Sequence, residues 1–139
     1  MKMPLTFSDD YNAVNANAVV KIPLGEGPEF PISFIIDTGC PFTFISVSSL
    51  QHLALSQHVK NKKYKTLSWG NKNIKLLSLG AAELAMFNSN QKVVSLKVKT
   101  LFLARLDQIP ESIMGIDFLR ASGVKLILDA KNNRAHIEK

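Results

Sequence analysis

A mostly-β domain is the fold class that this sequence predicts, and three observations carry the prediction. Apolar runs rich in β-branched and aromatic residues are short, as in Ala16–Pro23, Phe30–Asp37 and Thr43–Ser46. Turn-forming clusters interrupt the chain at short intervals: Gly25-Glu26-Gly27-Pro28, Ser68-Trp69-Gly70-Asn71, Asn88-Ser89-Asn90-Gln91 and Lys131-Asn132-Asn133. Polarity partly alternates along Val93-Val94-Ser95-Leu96-Lys97-Val98-Lys99, as on a half-exposed strand. Short strands of this kind bury their apolar faces by closing into a barrel or stacking as a sandwich.

Residues 1–15 are polar and unpatterned. They are expected to form a flexible leader, with a terminal strand as the other reading. A single domain is expected over residues 16–139. Ala16–Pro23 and Phe30–Asp37 are expected to pair as a hairpin that delivers Asp37 at its end. Thr43–Ser46 continues away from that point. Ser48–Leu55 predicts a short helix with Ser48 as its N-cap. Tyr64–Leu67 and Asn73–Leu79 predict a second hairpin around Ser68–Asn71. Gly80–Phe87 and Val93–Leu103 predict another strand pair, and Asp107–Pro110 a loop. Residues 116–121 predict a short helix stopped by Gly123. Val124–Asp129 and Arg134–Glu138 are the last strands. No internal repeat is present.

The 139 residues suffice for one core and not for two. No apolar run approaches the roughly 20 residues of a membrane helix, and Met1-Lys2-Met3-Pro4 does not open a secretory signal. Cys40 is the one cysteine, which excludes an intrachain disulfide. An intracellular, cytoplasmic setting is therefore expected, whether the chain is complete or part of a longer protein. The formal charge is +6. Lysines concentrate in Lys60-Asn61-Lys62-Lys63-Tyr64-Lys65 and continue through Lys72, Lys75, Lys92, Lys97 and Lys99. They read best as a solvated loop and polar strand faces. Only Tyr64 and Trp69 are aromatic nearby, too few for base stacking, so nucleic acid is disfavoured as a partner. His52, His58 and His136 are scattered without metal-ligand spacing. No metal and no cofactor is expected.

Two segments carry chemistry. In Phe34-Ile35-Ile36-Asp37-Thr38-Gly39 an apolar strand ends on a carboxylate, and Gly39 permits a tight turn. The hydroxyl of Thr38 can bond locally. Alone, this tripeptide reads as turn chemistry. Far downstream stands Ser112-Ile113-Met114-Gly115-Ile116-Asp117-Phe118-Leu119-Arg120, followed by Val124–Asp129. An apolar pair, a glycine and an apolar residue there lead into a short helix and a strand. Together and in this order, the two segments resemble the retropepsin family, the single-domain aspartic proteases of the retroviral type. The resemblance spans about Ala16 to Ile137.

That resemblance implies a closed β-barrel acid-protease fold with one short C-terminal helix, active as a symmetric dimer. It implies that Asp37 is catalytic, that the Thr38 hydroxyl braces the opposite loop across the dimer, and that Gly39 lets substrate approach. Met114, Gly115 and Ile116 match the supporting apolar-glycine element, with Ile116 near a substrate pocket. Ser68–Asn71 falls where the family places its flap, with Trp69 at the tip and Gly70 as the flexible point. Family dimers pair through chain termini, which implicates Arg134–Lys139. Cys40 and Pro41 depart from the Ala or Ser common after Asp-Thr-Gly, and the connection between the motifs is long. Cys40 is expected to be a packing thiol, Asp117 a helix-start cap and Asp129 a turn residue. For Trp69, covering the core and gripping substrate are both open.

Carboxylate-driven peptide hydrolysis needs two carboxylates sharing one proton. The chain has one Asp-Thr-Gly and no Asp-Ser-Gly. The second carboxylate must therefore come from another copy, in an isologous dimer with Asp37 at the two-fold axis. The expected activity is hydrolysis of peptide bonds in extended segments of a protein or polyprotein substrate, at acidic to near-neutral pH. The alternative is a retropepsin-fold dimerisation or peptide-binding module with weak catalysis, motivated by Cys40-Pro41 and the spacing.

Overall fold

The expected strands form, and most pair with their neighbours in sequence. A computed structural model describes residues 1–8, 13–22, 29–59 and 64–139. In chain order these are β1 (Lys2–Ser8), β2 (Ala13–Lys21), β3 (Phe30–Ile36), β4 (Phe44–Val47) and helix α1 (Ser49–Ser56). Then come β5 (Tyr64–Trp69), β6 (Lys72–Ser78), β7 (Ala82–Phe87), β8 (Val93–Val98), β9 (Phe102–Arg105) and β10 (Ser112–Met114). Helix α2 (Ile116–Ser122), β11 (Lys125–Asp129) and β12 (Arg134–Glu138) complete the chain, with a 3-10 turn at Ala130–Asn132. The expected Gly25–Pro28 turn and the lysines at 60–63 lie outside the described residues. No described helix is long and apolar enough to cross a membrane.

Strand order among the described residues is β11-β12-β1-β2-β3-β10-β4-β9-β6-β5, with β7 on β2 and β8 on β7. The path has two ends, β11 and β5, so the expected closed barrel is corrected to an open, branched sheet. Two short helices stand where the resemblance implied one C-terminal helix. The extra helix is the one that Ser48 starts: its hydroxyl accepts the Gln51 N–H at 3.4 Å, satisfying one orphan donor of the first turn. At the end of α2, Gly123 takes the left-handed conformation at φ +65°, which glycine adopts without a Cβ penalty.

Residues 2–8 are a strand and not a flexible leader. β1 pairs antiparallel with β12, placing Met3 opposite Ile137, and its far end pairs with β2. Met3 and Ile137 are fully buried. The segment has little local strand pattern. Its partner lies at the other end of the chain, and packing against that partner decides its conformation.

β2 and β3 form the expected antiparallel pair, with Asn15 opposite Ile35. β10 runs parallel to β3, Ile113 beside Ile35 and Met114 beside Ile36. β4 lies on the other side of β10, antiparallel to it, and parallel to β9. All four residues of β4 are buried, as expected of a strand covered on both faces. The expected Val93–Leu103 strand is two strands: Leu101 turns away to exchange hydrogen bonds with Leu79 and Gly80, each 2.8 Å.

The apolar residues gather in two clusters. The larger includes Phe34, Ile45, Leu84, Leu96, Leu103 and Phe118. The smaller lies under the β5–β6 hairpin and holds Cys40, Phe44, Leu67, Ile74, Leu76, Phe102 and Ile113. Replacing fully buried Phe34 with Ala should cost about 3–5 kcal/mol, read as a lower denaturant midpoint at unchanged slope.

Candidate active site

Asp37 stands one residue beyond the end of β3. Its N–H donates to the Met114 carbonyl at 3.1 Å, extending the β3–β10 pairing by one rung. Its carbonyl accepts the Cys40 N–H at 3.1 Å, and its Oδ1 accepts the Gly39 N–H at 2.9 Å. The carboxylate is thus held by its own turn, through a charge-assisted bond. A Cβ on Gly39 would sit 3.2 Å from that oxygen, a tight approach that glycine avoids. Asp37 is half-buried, while Thr38 and Gly39 are exposed.

The Met114-Gly115-Ile116 segment is interlocked with this turn. Ile116 N–H donates to the Cys40 carbonyl at 2.9 Å, and Gly115 N–H donates to Thr43 Oγ1 at 3.0 Å. A Cβ on Gly115 would lie 2.4 Å from the Phe42 carbonyl oxygen and 2.7 Å from that of Cys40. Only glycine permits this approach of two backbones. Structure therefore brings the Asp37–Cys40 turn together with the Met114–Ile116 segment.

The brace that sequence reading missed is Thr43 with Asp117. Thr43 Oγ1 donates to Asp117 Oδ1 at 2.6 Å, and Thr43 N–H donates to Asp117 Oδ2 at 3.1 Å. Asp117 also accepts the Phe118 N–H at 2.8 Å, the helix-start role expected of it. A threonine entering a strand is ordinary in sequence, so nothing marks Thr43 without its partner 74 residues away. Ser112 adds a further buried tie, its Oγ accepting the Ser46 N–H at 2.9 Å.

Cys40 is buried, with Sγ 3.3 Å from the Phe42 carbonyl oxygen. Burial pushes its thiol pKa up, and the carboxylates of Asp37 and Asp117 add to this; the Phe42 backbone only partly offsets it. A thiol kept protonated in this way is a packing group and a poor nucleophile.

Trp69 is the last residue of β5, and the tip of the hairpin is Gly70-Asn71 instead. Gly70 has φ +61° and Asn71 is outside the left-handed region, which suits a type II′ turn with glycine first. The Trp69 ring meets Phe44 edge-on, centroids 6.4 Å apart. It covers the smaller core cluster from one side and remains half-buried. Gly70 is exposed, and a Cβ there would touch nothing within 4 Å.

The histidines stay apart. His52 lies on α1, where burial and nearby Arg105 lower its pKa, while His58 follows α1 and His136 sits in β12. Among the described residues no three His, Cys, Asp or Glu side chains gather as a metal site.

No family model and no curated protein matches this sequence. Solved structures do match in fold. A retropepsin-like aspartic protease from Rickettsia conorii aligns over 98% of this chain and 98% of its own, with 16% identity and a TM-score of 0.53. The structure of edgp aligns over 99% of this chain and 45% of its own, with 11% identity and a TM-score of 0.55. EIAV protease, complexed with an inhibitor, aligns over 87% of this chain and 98% of its own at 13% identity, with a TM-score of 0.48. The mostly-β architecture with two short helices matches retropepsin-like fold neighbours.

Three outcomes test this site. Thr43→Val leaves the buried Gly115 N–H without a partner and takes one of two donors from Asp117 Oδ1, which keeps the Phe118 N–H; it should cost about 1–3 kcal/mol. Gly115→Ala forces backbone apart and should cost more, about 3–5 kcal/mol; urea titration reads both. Cys40 should alkylate far more slowly in folded than in unfolded protein at about pH 8, because its raised pKa and burial both deplete accessible thiolate. Equal rates in the two states would contradict the packing role.

Proposed function

We propose that this chain is one subunit of an aspartic endopeptidase that cuts peptide bonds in extended protein or polyprotein segments. Asp37 of each of two copies supplies one carboxylate of a shared dyad. The observation that carries this reading is the Asp37 turn: a carboxylate at the end of a strand, half-buried, tied through Met114 and beside exposed Thr38 and Gly39. The likeness in fold to a retropepsin-like protease supports it.

In the dyad one Asp37 takes a proton from the attacking water, and the other donates a hydrogen bond to the carbonyl oxygen of the scissile peptide. Thr38 braces the mate's loop, and Gly39 leaves room for substrate backbone. Met114, Gly115 and Ile116 hold the loop at fixed height. The β5–β6 hairpin is the flap: Trp69 anchors it on Phe44, and Gly70 is where it bends over bound peptide. Pairing of copies needs a free surface. β12 is flanked by β1 and β11, so the Arg134–Glu138 strand has no edge left to offer. β11 does, and it presents Ile127 and Leu128 to solvent.

A peptide library incubated from about pH 3.5 to 7.5, with sedimentation of the same samples, tests the proposal. Wild-type protein should cleave best on the acidic to neutral side and only as a dimer. Asp37→Asn should lower cleavage by about 10²–10⁴-fold with the fold intact by circular dichroism. Cleavage retained by that variant would sink the reading. A stable dimer that binds peptide and never cuts it would favour the peptide-binding module instead.

A further inference from the structure

A cleft of about 630 Å³, a size within the range of ligand sites, is lined by Pro41 and Phe42, which follow the Asp37 turn, and by Ile116, whose N–H donates to that turn at Cys40. Its apolar wall is Phe42, five residues past Asp37, with Phe102; the rings meet edge-on, centroids 5.2 Å apart. Three cations stand around that wall: Lys65, Lys99 and Arg120. Each comes from a different element. Lys65 lies on β5, which leads into the Gly70 hairpin. By alternation it shares one strand face with Leu67 and Trp69, and both of those turn inward onto the core. Lys99 lies between β8 and β9, and Arg120 on α2.

Charge in the cleft is only partly compensated, three cations standing against one carboxylate. Asp117 is the one carboxylate on the lining, and its oxygens already accept from Thr43 and Phe118. Among the described residues the one ion pair is Arg105–Asp107, and there the three cations pair with no carboxylate. Like charges brought together from three elements repel one another unless an anion joins them. An apolar wall ringed by cations suits a side chain with a hydrocarbon stem and a terminal anion.

We propose that this cleft is a substrate side-chain site selecting glutamate or aspartate to one side of the scissile bond. The inference rests on the endopeptidase reading and adds a specificity to it. The stem of the acidic residue packs on Phe42 and Phe102, and its carboxylate lies among Lys65, Lys99 and Arg120. Lys65 lies on β5 before the Trp69 anchor, so the fixed base of the flap strand contributes to the choice of substrate. The cations are exposed, so the selection is moderate and salt-screened.

The test uses paired peptides, each cleaved sequence made with Glu or Asp and again with Gln or Asn at every position around the cut. At one position on one side of the cut, the acid should be preferred by roughly three- to tenfold in kcat/KM. That ratio should shrink in high salt and fall to one or invert in Lys99→Glu and in Arg120→Glu. Efficient cleavage with no acidic preference overturns the site and leaves the endopeptidase reading standing. Absence of all cleavage overturns the endopeptidase reading, and binding then decides the site. In that case, retention of the acidic peptides over their amides, lost in Lys99→Glu, supports it; equal or no retention overturns it.

Discussion

Thr43 is the point at which the two halves of the candidate site hold one another. Its hydroxyl accepts from Gly115 and donates to Asp117, and its own N–H reaches the same carboxylate. One side of this node leads back through Phe42 and Cys40 to Asp37. The other leads into α2. Partly buried bonds to a charged group contribute about 1.5–3 kcal/mol each, so this node weighs heavily against the few kcal/mol by which domains are stable. The absence of a Cβ at Gly115 is what lets the backbones come close enough for it to form.

That node holds the segments on which the Asp37 turn is tied. The turn is tied by backbone bonds on both flanks, to Met114 before it and to Ile116 after it. Cys40 and Pro41 do not disturb this arrangement: the Cys40 side chain is buried, its carbonyl accepts Ile116, and Pro41 has no donor to lose. The β5–β6 hairpin is secured differently. Trp69 on Phe44 anchors its strand by apolar contact, and beyond it Gly70 and Asn71 are exposed. Leu67, Ile74 and Leu76 bury the hairpin's inner face in the same cluster, and β6 is paired with β9.

The terminal strands follow a separate logic. β1, β11 and β12 form a layer in which the first and last strands of the chain pair. The ends are tied by Met1 N and Lys139 O at 3.0 Å. This consumes both edges of β12 and leaves β11 as the edge strand. Exposed Leu128 on an edge is a feature that monomeric proteins usually blunt. Any pairing of copies through this layer therefore begins from β11.

What the sequence determined by itself is local. The Asp37-Thr38-Gly39 turn, the β2–β3 and β5–β6 pairs, the Ser48 cap and the Gly123 stop all rest on residues within one or two turns of each other, where propensity and side-chain chemistry suffice. The meeting of the Gly115 segment with the Asp37 turn was also expected, through the family resemblance that the two motifs carry together. Only the tertiary structure decided the rest. β10 is three residues long and exists because β3 and β4 flank it. β1 is a strand because β12 returns to meet it, and the sheet stays open because its edges do not find each other. Thr43 acquires its role from Asp117, and the cationic cleft from three segments that are remote in sequence. Each of these depends on a partner far along the chain, and no local pattern encodes which distant groups will meet.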